Sequence, residues 1–270
     1  MRRASSALLV LALVGCDRPS ALVICHNGNC ADPHDVSRDD TVEALRASLA
    51  LEVDGRPPFD GVELDLIFHD GRCWYAHDTH DLAAGADPAA AAALLVDHLR
   101  ANPAVEAGER FVLFLELKPQ AGDPDHLAHA DCALTLMTQV RTTALDVGYD
   151  LDVIFDSYDP ALLAAIQRRP DRPVSDDRTR IRFAADFGIP PPVGSDGQTL
   201  DAYGGLELDV ASIHPSWTTH TLLRALRSKD LDLSAWIFDV TRETLDVIEA
   251  LEPTYIVTGQ ARLLRRWLDD

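Results

Sequence analysis

Beyond residue 20 the chain alternates short apolar runs, rich in Val, Ile, Leu and Phe, with longer stretches whose apolar residues recur every three or four positions. The short runs start at "ALVIC" (21), "GVELDLIF" (61), "RFVLFLEL" (110), "LDVIFDS" (151), "RIRFAADF" (180), "GLELDVAS" (205), "DLSAWIF" (232) and "TYIVTG" (254), and read as eight strands. Helical spacing occupies "TVEALRASLAL", "PAAAAALLVDHLRA", "DHLAHADCALTLMTQVRTTALDV", "PALLAAIQRR", "WTTHTLLRALRSK", "RETLDVIEALE" and "QARLLRRWLD". After the fifth strand, "GIPPPVGSDGQ" is rich in Pro, Gly and Asp and reads as a long loop. Strands alternating with helices predict a single α/β domain, a closed (β/α)8 TIM barrel with its site at the C-terminal strand ends. An open doubly wound sheet is the alternative, but no Gly-rich phosphate turn follows any early strand.

Composition agrees with one barrel. The 270 residues are 47% hydrophobic and 25% charged, enough to bury a core without metals or staples. Residues 1–15 stand apart from the fold: Arg2 and Arg3 precede the apolar run Ala7 to Val14, which ends in "LVGC" at Cys16. This is the pattern of a secretion signal, too short to span a bilayer, which takes about 20 apolar residues. "LVGC" resembles a bacterial lipoprotein cleavage box, which implies that Cys16 becomes a lipid-carrying N-terminus and that residues 16–270 are an exported cell-envelope domain held at a membrane. A plain signal peptide is the alternative. The formal charge of −20 becomes −22 once Arg2 and Arg3 leave with the signal, so nucleic acid is excluded as a partner.

Export also changes how the other cysteines read, since thiols beyond the inner membrane tend to be oxidised. Cys25, Cys30, Cys73 and Cys132 allow three disulfide pairings. Cys25 with Cys30 is the most local, leaving Cys73 with Cys132, and would stiffen the loop "CHNGNC" that holds His26. Zinc competes for that loop, although no second close Cys or His pair at finger spacing accompanies it.

Polar residues at late, alternating strand positions share one face and point to the chemistry. In the second strand, Glu63 and Asp65 oppose the apolar Val62, Leu64 and Leu66; in the third, Glu116 and Lys118 share a face. Inward acids repel one another and lose hydration, so they require a cation or raised pKa values. Three carboxylates on neighbouring strands suit a hard divalent ion, Mg²⁺ or Ca²⁺. His26 follows the first strand, and His77-Asp78 follows the turn "HDGRCW", which places two histidines beside the acids for acid–base work.

In this order the motifs resemble the glycerophosphodiester phosphodiesterase family, within the phospholipase-C-like phosphodiesterase barrels. The family's His-Arg-Gly is matched by His26-Asn27-Gly28, its Glu-Asn-Thr by Asp39 to Thr41, and its Glu-x-Asp by Glu63 and Asp65. Its His-Asp is matched by His77-Asp78, its Glu-x-Lys by Glu116 and Lys118, and its Ser-Phe-Asp-Pro by "SYDP" from Ser157. "AWIFDVTRETLDVI" from Ala235 is similar to its Trp-Thr-Val-Asn segment, and "IVTG" to its closing strand.

The resemblance implies a phosphodiesterase for glycerophosphodiesters or related (lyso)phospholipids. His26 and His77 would be the acid–base pair, Glu63, Asp65 and Glu116 would hold one Ca²⁺ or Mg²⁺, and Lys118 would contact phosphate. Trp236 would line the mouth or fill the core. The largest departure is Asn27, which offers one amide donor where the family has an arginine. Two alternatives follow: a sphingomyelinase-D or phospholipase-D-like lipase of the same group, and a barrel-shaped binding lipoprotein without catalysis. Asp39 reads first as part of a helix N-cap region. Glu207 and Asp209 echo the second-strand pattern, with Glu207 expected low in the barrel beside a basic residue. His214 could reach substrate; His34, His69, His80, His98, His126, His129 and His220 are expected to face solvent.

Overall fold

The computed structural model describes residues 21–119, 125–187, 200–216 and 218–269. The expected signal segment, Cys16 and the expected loop "GIPPPVGSDGQ" lie outside the described residues. Nine strands are present among them: β1 (Leu22–Cys25), β2 (Gly61–His69), β3 (Arg72–Tyr75), β4 (Arg110–Leu117), β5 (Asp150–Ser157), β6 (Thr179–Asp186), β7 (Val210–Ile213), β8 (Asp232–Ile237) and β9 (Tyr255–Thr258). Eight run parallel in the order β1-β9-β8-β7-β6-β5-β4-β2, and pairing of β1 with β2 closes the barrel. The expected TIM barrel is therefore the fold.

Seven helices surround it: α1 (Val42–Leu49), α2 (Pro88–Ala101), α3 (His126–Asp146), α4 (Pro160–Gln167), α5 (His220–Arg227), α6 (Arg242–Leu251) and α7 (Ala261–Asp269). Their start points have a local cause. Thr41, Asp87, Asp125, Asp159, Thr219 and Thr241 each accept a hydrogen bond from a backbone N–H of the first turn, which would otherwise lack a partner. Pro88 and Pro160 add a φ already suited to the first turn. Thr41 is thus the cap of α1, and Asp39 and Asp40 are freed for another task. Among the described residues, no helix is long and apolar enough to cross a membrane.

Three expectations need correction. The second strand does not end in a simple turn: Asp70 and Gly71, both at positive φ, reverse the chain into β3, which pairs antiparallel with β2 on the barrel's flank. Asp-Gly between two extended runs favours this tight hairpin because its backbone twist matches that of the strands. The sixth barrel strand begins at Val210 rather than residue 205. Glu207 is accordingly exposed, its basic partner Arg172 standing at 3.1 Å outside the barrel. His98 and His129 face protein, not solvent. His129 Nε2 lies 2.7 Å from the Leu66 carbonyl, and His98 packs against Phe59.

The barrel interior is filled lower down by Ile24, Val112, Phe114, Ile154, Val210 and Tyr255. Beneath them Asp152, fully buried, is held by Arg110 (2.8 Å), Arg180 and the Tyr255 hydroxyl (3.1 Å). A buried carboxylate needs this many donors. It closes the floor and leaves the opposite end as the place where polar strand residues can meet a ligand.

Two disulfides, Cys25–Cys30 and Cys73–Cys132, each join Cα atoms 5.7 Å apart. The first closes the loop that carries His26; the second ties β3 to α3. The cysteine pairing is the local one expected, and these four residues leave no thiolate for zinc.

Candidate active site

The parallel register brings the acids together. Asp65 of β2 pairs with Glu116 of β4, and Glu63 stands two residues earlier on the same face of β2. All three side chains are buried, and one carboxylate oxygen from each lies within 4.8 Å of the others. Lys118 sits beside them, with Nζ 2.5 Å from Glu116 Oε1 and 3.4 Å from Asp65 Oδ2.

Burial sets the electrostatics of this group. It raises Glu63 and Asp65 well above the usual carboxylate range, and the negative charge of Glu116 adds to the effect. For Glu116, burial acts in the same direction, but Lys118 outweighs it and holds the group below its ordinary value. Burial alone would lower Lys118, yet Asp65, Glu116 and Glu63 raise it well above a normal lysine.

The histidines flank the acids. His26 Nε2 is 3.8 Å from Glu63 Oε2, while His77 Nε2 is 3.9 Å from Asp65 Oδ2. His77 also stands 3.9 Å from Asp78 through Nδ1. Both rings lose basicity: burial, with Lys118 next, lowers His26 to about 4, and the same two causes lower His77. His26 is therefore neutral at pH 7 and able to accept a proton.

The turn before α1 braces the site. Asp40, at positive φ and 1% exposed, accepts a hydrogen bond from the Asp65 backbone N–H at 3.1 Å. Asp39 accepts from Asn29 Nδ2 at 2.8 Å and from Asn27 Nδ2 at 3.4 Å. Asn27 is 3% exposed, its backbone N–H donating to Glu63 Oε2 at 2.9 Å. The residue at the position of the family's arginine thus has its side-chain amide directed to Asp39.

Gly28 follows at φ +60, where an added Cβ would stand 2.4 Å from the Tyr75 hydroxyl. A left-handed conformation and close approach together explain glycine there.

Across the mouth, Trp236 lies parallel to His26 (14° between planes) and edge-on to His214 at 4.8 Å between ring centroids. Trp236 is half-buried, His214 is buried, and Phe238 is 53% exposed at the same rim. His214 was the one further histidine expected near the site, and it supports Trp236.

The same alternation rule that finds Glu63, Asp65 and Glu116 also selects residues passed over in the sequence. Asp156 of β5 pairs with Glu116, so Asp65, Glu116 and Asp156 occupy one level on three consecutive barrel strands. Asp186 ends β6. Their signal was an acid at the late position of "LDVIFDS" and "RIRFAADF". Asp40 and Tyr75 carried no comparable signal, because loop conformation and a hairpin place them.

The three acids fit a divalent cation. Both Asp65 oxygens are buried without a hydrogen-bond partner, which is costly unless a charge at that point compensates. An all-carboxylate donor set suits Mg²⁺ or Ca²⁺ over softer metals.

No family model and no curated protein matches the chain. Solved structures do. A phosphodiesterase from Oleispira antarctica, solved with the product sn-glycerol-3-phosphate, is 15% identical, with a TM-score of 0.56 over 92% of this chain and 97% of that one. A glycerophosphodiester phosphodiesterase from Thermotoga maritima is 14% identical, with a TM-score of 0.54 over 92% and 98%. A calcium-dependent phosphoinositol-specific phospholipase C from Pseudomonas is 11% identical, with a TM-score of 0.51 over 90% of each. The fold of this chain is the barrel that these phosphodiesterases share.

Proposed function

We propose that the protein is a divalent-cation-dependent phosphodiesterase acting on glycerophosphodiesters or related (lyso)phospholipids, with His26 and His77 as its acid–base pair. The observation that carries this reading is the placement of two imidazoles beside a buried three-carboxylate cluster, each within 4 Å of a different one of its acids. The barrel shared with known phosphodiesterases supports it.

Glu63, Asp65 and Glu116 would hold the cation, and Lys118 would meet the phosphate from the side of Glu116. A bound Ca²⁺ or Mg²⁺ supplies positive charge for the oxygens on which negative charge grows as phosphorus is attacked. His26, the less basic ring, takes the proton of an attacking hydroxyl, which the substrate itself supplies when it carries one next to the phosphate. The new P–O bond forms as the bond to the leaving alcohol breaks, and His77, entering the step in its protonated form, delivers that proton to the alcohol. His77 is half-exposed, which suits a group that meets a departing alcohol.

A panel of phosphodiesters with Ca²⁺ or Mg²⁺ tests the reading: release of free alcohol, abolished by EDTA and by His26→Ala or His77→Ala, is the expected result. Metal or ligand binding without turnover on any substrate would favour the binding-protein alternative. Transfer of the head group without attack on a glycerophosphodiester would favour the phospholipase-D-like one.

We also infer that the protein is exported and tethered through a lipid on Cys16. The "LVGC" box and the two disulfides, which suit an oxidising compartment, support this. Cys16→Ser should move the protein from the membrane to the soluble fraction of an expressing bacterium.

A further inference from the structure

The acids of the mouth outnumber what one divalent ion can offset. Asp40, Glu63, Asp65, Glu116, Asp156 and Asp186 are all buried, and Lys118 moderates each of Asp40, Glu63, Asp65 and Asp156. A phosphodiester brings one more negative charge to this place. Its binding is opposed by the surplus unless the substrate carries compensating charge of its own.

One part of the surplus has no assigned task. Asp156 is 2% exposed, Ser212 hydrogen-bonds its carboxyl, and its Oδ1 is buried without a hydrogen-bond partner. On β6, Ala184 is its register partner, so Asp186 stands two residues farther toward the mouth on the same face. Asp186 is the charge that acts most strongly on Asp156. A second metal ion is poorly served here, because among the described residues Asp156 and Asp186 belong to no group of three metal-ligating side chains. Two carboxyl groups on neighbouring strands, one with a buried oxygen lacking a hydrogen-bond partner, instead match an organic ammonium group.

Resting on the phosphodiesterase reading, we propose that Asp156 and Asp186 form a specificity subsite for the positively charged group of the substrate's alcohol, so that zwitterionic phosphodiesters are selected over neutral-headed ones. β5 and β6 follow directly after the Glu116 strand in the barrel order. A head group placed there extends away from phosphate bound at Lys118.

The test compares kcat/KM for glycerophosphocholine and glycerophosphoglycerol, at saturating Mg²⁺ or Ca²⁺, in the wild type, Asp156→Asn and Asp186→Asn. The wild type should favour the choline ester by tenfold or more. Each variant should lose at least tenfold more on the choline ester than on the glycerol ester, chiefly in KM. Equal losses on both substrates would overturn the subsite, as would variants whose weaker activity is restored by more metal. Titration of the metal-loaded wild type with choline alone gives a readout independent of turnover. Binding weakened in either variant supports the subsite even if no phosphodiester is cleaved, whereas choline binding that is absent, or unchanged in both variants, overturns it.

Discussion

Asp65 is fully buried beside Glu63 and Glu116 with Lys118 at 3.4 Å as its cation, and an excess of buried negative charge destabilises the fold that holds it. Asp65→Asn should therefore raise the melting temperature of the metal-free protein, by about 2–4 °C for each kcal/mol recovered in a chain of this size. The same substitution should abolish most of the stabilisation gained from added Ca²⁺ or Mg²⁺. Calorimetry with and without EDTA measures both. His26 gives a second residue-scale prediction. Its pKa is lowered to about 4, so the ring remains an acceptor well below pH 6.5 and is lost to protonation only near 4. The acid limb of kcat/KM should lie below 6.5, and His26→Ala should reduce kcat by about 10² to 10⁴. The residues that define the site were readable because strand alternation fixes which side chains turn inward. Asp40 was not, since its approach to the Asp65 amide depends on a left-handed backbone that no periodicity encodes.

At the scale of elements, the β2–β3 hairpin determines where His77 arrives. The strand is short and lies outside the eight-stave pattern, so apolar rhythm alone did not separate it from a loop. The Asp70-Gly71 pair was the usable signal. Cys73–Cys132 fastens this hairpin to α3 across a sequence separation of 59, against 5 for Cys25–Cys30. Chain-entropy arguments assign about 4 kcal/mol to the longer closure and about 2 kcal/mol to the shorter. Cys73→Ser should thus lower denaturant stability more than Cys25→Ser, while Cys25→Ser should harm turnover more because its loop carries His26. Urea titrations beside initial rates separate the two effects. Gly61 is a further element-scale test: a Cβ there would meet the Val112 carbonyl oxygen at 2.2 Å, inside the β2–β4 pairing. Gly61→Ala should cost about 1–3 kcal/mol or prevent closure between these strands.

For the whole molecule, the raised acids couple stability to pH and to cations. Burial lifts Asp40, Glu63, Asp65 and Asp156 above their unfolded values, so the stability they contribute is full below about pH 4 and is lost as pH rises through the raised values. His26 and His77 act oppositely: their contribution is full above about 6.5 and is lost as pH falls through their lowered values. On the proposed reading, a divalent ion would take the place of protons at the acids. The rise in melting temperature on adding Ca²⁺ or Mg²⁺ should therefore be larger at pH 8 than at pH 5.5, and proton release on binding should be visible in differently buffered titrations. The overall architecture was legible in the sequence because eight alternations leave few ways to close a sheet. The start of β7 was not, since "GLELDV" has a strand's alternation but enters the barrel only at Val210.

The level alignment of Asp65, Glu116 and Asp156 has a consequence for how the chain reaches its native state. A slip of one residue between β2 and β4 would turn Glu116 outward and pull the trio apart, although backbone pairing would survive almost intact. On the proposed metal reading, cation capture would therefore discriminate the true native topology from near-native misfolds that circular dichroism would score as identical. In a refolding experiment, a terbium luminescence signal should rise after the helical signal has saturated, marking the moment at which the staves find their proper partners.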